Sequence, residues 1–332
     1  MKHILIIYTG GTIGMQKSRH SNALAAVDFK SLTSSIPQLK SSDINVEHIS
    51  LKNVIDSSNM TIEYWVEIAQ LIESNYNDFD GFVILHGSDT MAYSASALSF
   101  MLEGLAKPVI FTGSQIPIGA RRTDAKENLI TSIEISANKD IQEVCVYFED
   151  KLYRGNRTVK INSQQFEAFS SPNYPILAEV GVNIKYNSSY FLQSNSQKLK
   201  VNTSLTNDVC LIKLFPSVKK EVISSMINTS NYIVIESFGS GNASDQSWFL
   251  DELSNAVNEG KLIVNCSQCL AGNVKQGEYE TSSKLEKIGV ISAGDMTTEA
   301  AITKLMFLSG KDISLNDKKN LFKKNIRGEI TE

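Results

Sequence analysis

Ile4-Leu5-Ile6-Ile7-Tyr8-Thr9-Gly10-Gly11-Thr12 carries a continuous apolar run straight into a glycine pair flanked by threonines. Four consecutive branched aliphatic residues leave no polar face, as in a strand buried on both sides. Such strands belong to parallel sheets covered by helices, so this stretch points to an α/β fold. A glycine pair directly after the strand means a tight turn, a phosphate cradle, or a close approach of backbone to another group. The phosphate reading is weak, because neither G-x-G-x-x-G nor the G-K-[ST] ending of a P-loop follows. With two threonines in the turn, a hydroxyl becomes the candidate functional group.

The rest of the chain keeps the same alternation. Strands are predicted over 2–8, 81–86, 108–112 and 144–148, and helices over 61–76 and 91–105. In the first helix Trp65, Ile68, Ala69 and Ile72 recur at helical spacing behind Thr61, a candidate N-cap. Asp124-Ala-Lys-Glu127 has the pattern of a capping box opening a helix toward Ala137. Between Asn187 and Asp208 the chain turns rich in Ser and Asn and loses helical periodicity. Strands then resume at 209–215, 232–237 and 262–266, with a helix ending near Gly260 and another over 298–308 that stops at Gly310. The expected architecture is two α/β domains: a larger N-terminal parallel-sheet domain over 1–187, a linker over 188–208, and a smaller C-terminal α/β domain over 209–332.

Composition narrows the class. With 332 residues, 42% of them hydrophobic, the chain can build one large or two ordinary cores. A net charge of -4 offers no basic field for nucleic acid. No apolar run approaches the roughly 20 residues that span a bilayer, and the first strand is too soon broken by glycine for a signal peptide. A cytoplasmic protein is expected. Cys145, Cys210 and Cys266 sit in apolar, strand-like runs and read as small core hydrophobes. Cys266 and Cys269 form a CxxC, but no second pair completes a zinc set, and neither metal nor cofactor is expected.

Ligands of open parallel sheets bind at the carboxyl ends of the strands. Two polar clusters fall there, Thr9-Gly-Gly-Thr12 and His86-Gly-Ser-Asp-Thr90, and Asp56-Ser-Ser-Asn59 ends a further apolar stretch. Each alone has an ordinary reading: glycine turns follow many strands, and Ser88-Asp89-Thr90 can simply cap a helix. His86 reads as a satisfied structural histidine. A hydroxyl nucleophile needs a base or cation nearby, and lysine can replace histidine in that role.

T-G-G-T-I-G at 9–14, D-S-S-N-M-T at 56–61, H-G-S-D-T-M-A-Y at 86–93, T-G-S-Q-I-P at 112–117 and L-Y-R-G-N-R-T-V-K at 152–160 resemble, in order, the blocks of the bacterial L-asparaginase family, specifically its cytoplasmic type I branch. The resemblance continues through S-F-G-S-G-N at 237–242, N-C-S-Q-C at 265–269 and A-G-D-M-T-T-E-A at 293–300. It implies an amidohydrolase that converts L-asparagine to L-aspartate and ammonia through a threonine-linked acyl-enzyme. On this resemblance Thr12 is the nucleophile, and Ser88, Asp89 and Lys160 form a second catalytic group. Asp89 also pairs with the substrate's α-ammonium, while Asp56, Ser57 and Ser58 belong to the substrate site and the two serines take its α-carboxylate. Backbone N–H groups near Gly11 and Ser88 are the implied oxyanion donors, and a homodimer or homotetramer is the implied assembly.

The sequence departs from the family in three places. Ser88 stands where relatives have threonine, losing the methyl that restricts χ1. The loop after the first strand, Ser18 to Ala25, lacks the family's tyrosine and offers His20 or Ser21 instead, or closure alone. A second, regulatory asparagine site known in some type I relatives keeps Asn242 and Cys269, but Glu236 and Val159 replace its arginine and threonine, so no homotropic activation is expected. The competing readings are a glutaminase-asparaginase, the ammonia-supplying subunit of a tRNA-dependent amidotransferase, and an inactive amino-acid-binding regulator. The second is disfavoured by the lack of an N-terminal extension, the third by retention of Thr12, Asp89 and Lys160.

Overall fold

A computed structural model describes residues 1–17, 24–26, 43–193, 198–278 and 280–332. The chain divides into two compact units, Met1–Thr203 and Ser204–Glu332. The first is built on an eight-stranded sheet. In chain order its strands are β1 (Lys2–Gly10), β2 (Ile44–Ile55), β3 (Gly81–Leu85), β4 (Val109–Thr112), β5 (Val144–Phe148), β6 (Lys151–Arg154), β7 (Ala178–Val180) and β8 (Ile184–Tyr186). Across the sheet they run β8-β7-β6-β5-β4-β3-β1-β2. The five strands from β2 to β5 are mutually parallel.

β1 is buried from Ile4 to Gly10, as its unbroken apolar run predicts. Ile4, Ile6 and Tyr8 pack with Val83 and Leu85 of β3 against Leu129 and Ile133. Those last two belong to helix α3 (Ala125–Ser136), which follows α1 (Ile62–Asn75) and α2 (Met91–Met101). Trp65, Ile68, Ala69 and Ile72 form the buried stripe of α1. The helix expected to reach residue 105 stops at Met101, and Leu102–Glu103 pairs instead with Lys200–Val201.

Three details correct the sequence reading. The sheet is mixed, because β6, β7 and β8 run antiparallel to their neighbours. Glu149 and Asp150 form the two-residue turn between β5 and β6, both at positive φ (43° and 63°). A type I′ hairpin turn demands that conformation and usually advertises itself with glycine, which is absent here. Thr61 stands at the N-cap of α1, but its side chain makes no capping hydrogen bond. Nor does Asp124 form a capping box: its carboxylate accepts from the backbone N–H groups of Gln115 (2.8 Å) and Ile116 (3.1 Å).

The second unit holds a parallel four-stranded sheet in sequential order, β9 (Val209–Lys213), β10 (Tyr232–Ser237), β11 (Leu262–Ser267) and β12 (Ile291–Ser292). Helices α4 (Lys220–Asn228), α5 (Ser247–Asn258), α6 (Glu280–Ile288), α7 (Thr298–Ser309) and α8 (Leu315–Lys323) accompany it. Ile212, Ile233, Ile235 and Ile263 meet Ile223, Ile227, Phe249 and Leu253 in its core. Gly260, at φ +91°, follows the end of α5 as the expected C′ glycine. All four cysteines are free; Cys145 and Cys266 are buried, Cys210 is half-buried and Cys269 exposed. Among the described residues no helix is long and apolar enough to cross a membrane.

Candidate active site

Within the parallel part of the first sheet the order is β2-β1-β3-β4-β5. From β1 the chain moves to one side and then returns to the other, so the carboxyl ends of β1 and β3 form the switch point at which open α/β sheets bind ligands. The two polar clusters of the sequence sit at those two ends.

Three turns interlock there, and glycine is what permits it. A Cβ on Gly10, at φ +125°, would lie 2.0 Å from the Ile55 carbonyl oxygen; one on Gly11, at φ +88°, would lie 2.5 Å from the Gly87 nitrogen. A Cβ on Gly87 would lie 2.4 Å from the Ser57 Oγ. The ends of β1, β2 and β3 are thereby pressed together, bringing Thr12, Ser57, Ser58, Ser88 and Asp89 to one edge of the sheet. Thr12 is half-buried and begins a single 3-10 turn over Thr12–Gly14. Thr9 is buried and donates its hydroxyl to the Leu85 carbonyl at 2.9 Å, tying β1 to β3 just before the turn.

Asp56 caps a second 3-10 turn, Ser57–Asn59, accepting from the Ser58 N–H (2.9 Å) and hydroxyl (2.7 Å). These hydrogen bonds hold its carboxyl below the usual carboxylate range. Asp56 therefore already engages both Ser58 donors. Ser57 is buried, and its carbonyl accepts from the Thr90 hydroxyl at 2.7 Å.

Lys160 arrives from the antiparallel side. After β6 the chain turns through Gly155–Arg157, where a Cβ on Gly155 would stand 3.0 Å from the Ala95 Cβ of α2. The buried Arg154 Nε meets Glu143 Oε2 at 2.6 Å, and the guanidinium carbon of the buried Arg157 lies 5.2 Å from the Tyr174 ring centroid. This anchored base delivers Val159–Lys160, which pairs antiparallel with Phe169–Ser170. The Lys160 Nζ donates to Ser88 Oγ at 2.8 Å and to Asp89 Oδ1 at 2.6 Å. The Asp89 side chain is 66% exposed and that of Lys160 17%, so their ion pair orients groups more than it stabilises the fold.

Next to the turn lies a buried polar chain. Trp65 Nε1 donates to Ser94 Oγ (2.9 Å), which lies 2.9 Å from His86 Nε2, while His86 Nδ1 lies 2.6 Å from the Gly87 carbonyl. A carbonyl only accepts, so Nδ1 carries the proton and Nε2 receives the Ser94 hydroxyl proton. His86 is fully buried, and burial pulls its pKa down to about 4. It is the satisfied structural histidine of the sequence reading.

One contact escaped that reading. Ser88 Oγ also reaches Gln115 Oε1 at 3.2 Å, and Gln115 Nε2 donates to the Gln165 carbonyl at 2.9 Å. The T-G-S-Q-I-P block carried the signal: a polar amide beyond the buried strand β4, at the same sheet edge. His20 and Ser21, offered in place of the lid tyrosine, lie outside the described residues. In the second unit Glu236 is engaged, Oε2 with Lys213 Nζ at 3.0 Å and Oε1 with the Thr298 hydroxyl at 2.7 Å. Among the described residues no group of three or more His, Cys, Asp or Glu is placed to hold a metal ion.

The family described as Asparaginase, N-terminal, matches residues 3–191, and the Glutaminase/Asparaginase C-terminal domain matches residues 208–322. L-asparaginase 1 of Escherichia coli (strain K12) is 39% identical over 334 residues, 99% of this chain and 98% of its own. A 60 kDa lysophospholipase of Mus musculus is 40% identical over 355 residues, 99% of this chain but 63% of its own length. The crystal structure of L-asparaginase I from Vibrio cholerae is similar at a TM-score of 0.92 and 41% identity, covering 100% of this chain and 99% of that one. With both halves matched and these identities sustained end to end, the chain belongs to the asparaginase family.

Proposed function

We propose that this protein hydrolyses the side-chain amide of L-asparagine, releasing L-aspartate and ammonia, with Thr12 as nucleophile. The observation that carries the reading is the Lys160–Ser88–Asp89 constellation at the carboxyl end of β3, beside the close approach of Gly11 to Gly87 that precedes Thr12. Thr12 Oγ attacks the amide carbon, the nitrogen takes a proton and leaves as ammonia, and a β-aspartyl ester remains. Water then hydrolyses the ester and returns Thr12 to its free hydroxyl. Lys160 and Ser88 are suited to move the protons these steps require, because an ammonium next to a hydroxyl can donate and its amine can accept. Backbone N–H groups at Gly11 and Ser88 are suited to receive the developing oxyanion.

Binding follows from charge. The exposed Asp89 carboxylate suits the α-ammonium, and the likeness to the type I branch assigns the α-carboxylate to Ser57 and Ser58, whose turn is held by Asp56. A cytoplasmic site of action and assembly as a homodimer or homotetramer complete the reading; both rest on the likeness to the type I branch. The domain limits we adopt for function are 1–187 and 209–332, with 188–208 between them. Glu236 also bears on regulation: an α-carboxylate approaching its carboxylate would meet like charge at a position already held by Lys213 and Thr298.

The test is ammonia release from purified protein given asparagine and glutamine in parallel, with aspartate identified as the co-product. Turnover of asparagine well above glutamine is the expected result. Binding of asparagine without ammonia would make the protein a regulator, and comparable rates would make it a glutaminase-asparaginase.

A further inference from the structure

Serine at position 88 has a free choice of χ1 rotamers that a β-branched residue would lack. In this structure its hydroxyl is nonetheless held in one direction. The Gln165 carbonyl is an acceptor only, so the Gln115 side chain must turn Nε2 toward it (2.9 Å) and Oε1 toward Ser88 (3.2 Å). Oε1 is itself an acceptor only, so Ser88 donates its proton there. On its other side Ser88 accepts from Lys160 Nζ at 2.8 Å. The Gln115 backbone is anchored, because Asp124 holds its N–H at 2.8 Å and that of Ile116 at 3.1 Å. Asp124 is itself buried, and it also accepts from the Asn128 amide at 3.3 Å.

Resting on the reading of Ser88 as a reacting group, we infer that Gln115 is a positioning residue that fixes the Ser88 rotamer, doing by hydrogen bond what a threonine methyl does by sterics. Gln115 takes no part in proton transfer. When Ser88 turns its proton toward the reacting atoms it simply leaves Oε1, and it returns there at the end of the cycle.

The experiment is a double-mutant cycle on asparagine hydrolysis with wild type, Gln115→Met, Ser88→Thr and the double variant. Gln115→Met is expected to lower kcat roughly tenfold with KM little changed, the size of one lost hydrogen bond that orients a reacting group. In the Ser88→Thr background the same replacement is expected to cost no more than about twofold, because the methyl already restricts the rotamer. Gln115→Ala, which keeps the backbone contacts to Asp124, is expected to follow the same pattern. An unchanged kcat in Gln115→Met, or an equal loss in both backgrounds, would overturn the inference.

A second readout does not depend on the substrate. A high-resolution crystal structure should show Ser88 Oγ in one rotamer in wild type and spread over more than one in Gln115→Met. One unchanged rotamer in the variant would sink the role of Gln115. If wild type released no ammonia from asparagine, the functional reading would fail and this crystallographic comparison alone would decide the role of Gln115.

Discussion

Of the lysines that meet a carboxylate in this protein, Lys304 and Lys160 do opposite things. Lys304, in α7, is wholly buried against an equally buried Glu329, and its Nζ also donates to the carbonyls of Phe322 (2.8 Å) and Lys324 (2.6 Å). Its three N–H groups are thus all taken, and burial pulls its pKa down against the attraction of Glu329. Lys160 faces a half-buried hydroxyl and a carboxylate that stands mostly in solvent. A saturated, sealed ammonium can only hold structure. One at a sheet edge, joined to a hydroxyl, is available for chemistry. Burial and partner type separate the two lysines physically.

The contrast breaks most sharply under matched substitutions. Lys160→Met should lower kcat by roughly 10²–10⁴-fold, the usual span for removing a general acid–base group, while thermal stability stays near wild type. A change confined to KM would make Lys160 a binding residue. Lys304→Met should do the reverse. It leaves Glu329 buried without its partner, at a cost of about 3–5 kcal/mol, and the fraction still folded should keep its activity. Denaturant midpoints measured beside specific activity separate the two outcomes.

His86 directly precedes the Gly87–Ser88 turn yet resembles Lys304 in being sealed and satisfied. Its folded pKa of about 4 lies below the ordinary value of 6.5, because burial disfavours the imidazolium. Between those values the unfolded chain binds the proton and the folded chain does not. Stability is therefore full above pH 6.5 and falls as pH drops toward 4, by about 3 kcal/mol in total. Unfolding curves across that range should lose this component of the slope in His86→Gln. The smallest expected effect concerns Glu236, whose carboxylate is already paired. Rate against asparagine concentration should follow a hyperbola with a Hill coefficient of about one, and a clearly higher value that vanished on mutation of Glu236 would contradict this.

Much of the fold was legible because buried parallel strands announce themselves. β1, β3, β4 and β5 are short unbroken apolar runs, and their ends carried the hydroxyls that the structure gathers. β2 escaped because its residues are largely exposed, with His48 and Lys52 interrupting any clean alternation. The β5–β6 hairpin escaped because Glu149 and Asp150 adopt positive φ without glycine. Asp124 shows how a local motif misleads: its spacing to Glu127 fits a capping box, but its carboxylate serves the distant backbone of Gln115. Contacts such as Lys304 with Glu329 join residues that only the completed fold brings near, so no local pattern records them.

The proposed reaction passes through a covalent ester between Thr12 and the substrate. Thr12→Ala removes one half-buried hydroxyl and little packing, so the variant should fold like wild type. Rapid acid quench of the enzyme during turnover of asparagine, followed by mass spectrometry of the Thr12 peptide, tests the claim directly. A β-aspartyl adduct on Thr12 in wild type, with neither adduct nor ammonia from Thr12→Ala, is the predicted result. Wild-type rates of ammonia release by the purified Thr12→Ala variant would contradict it.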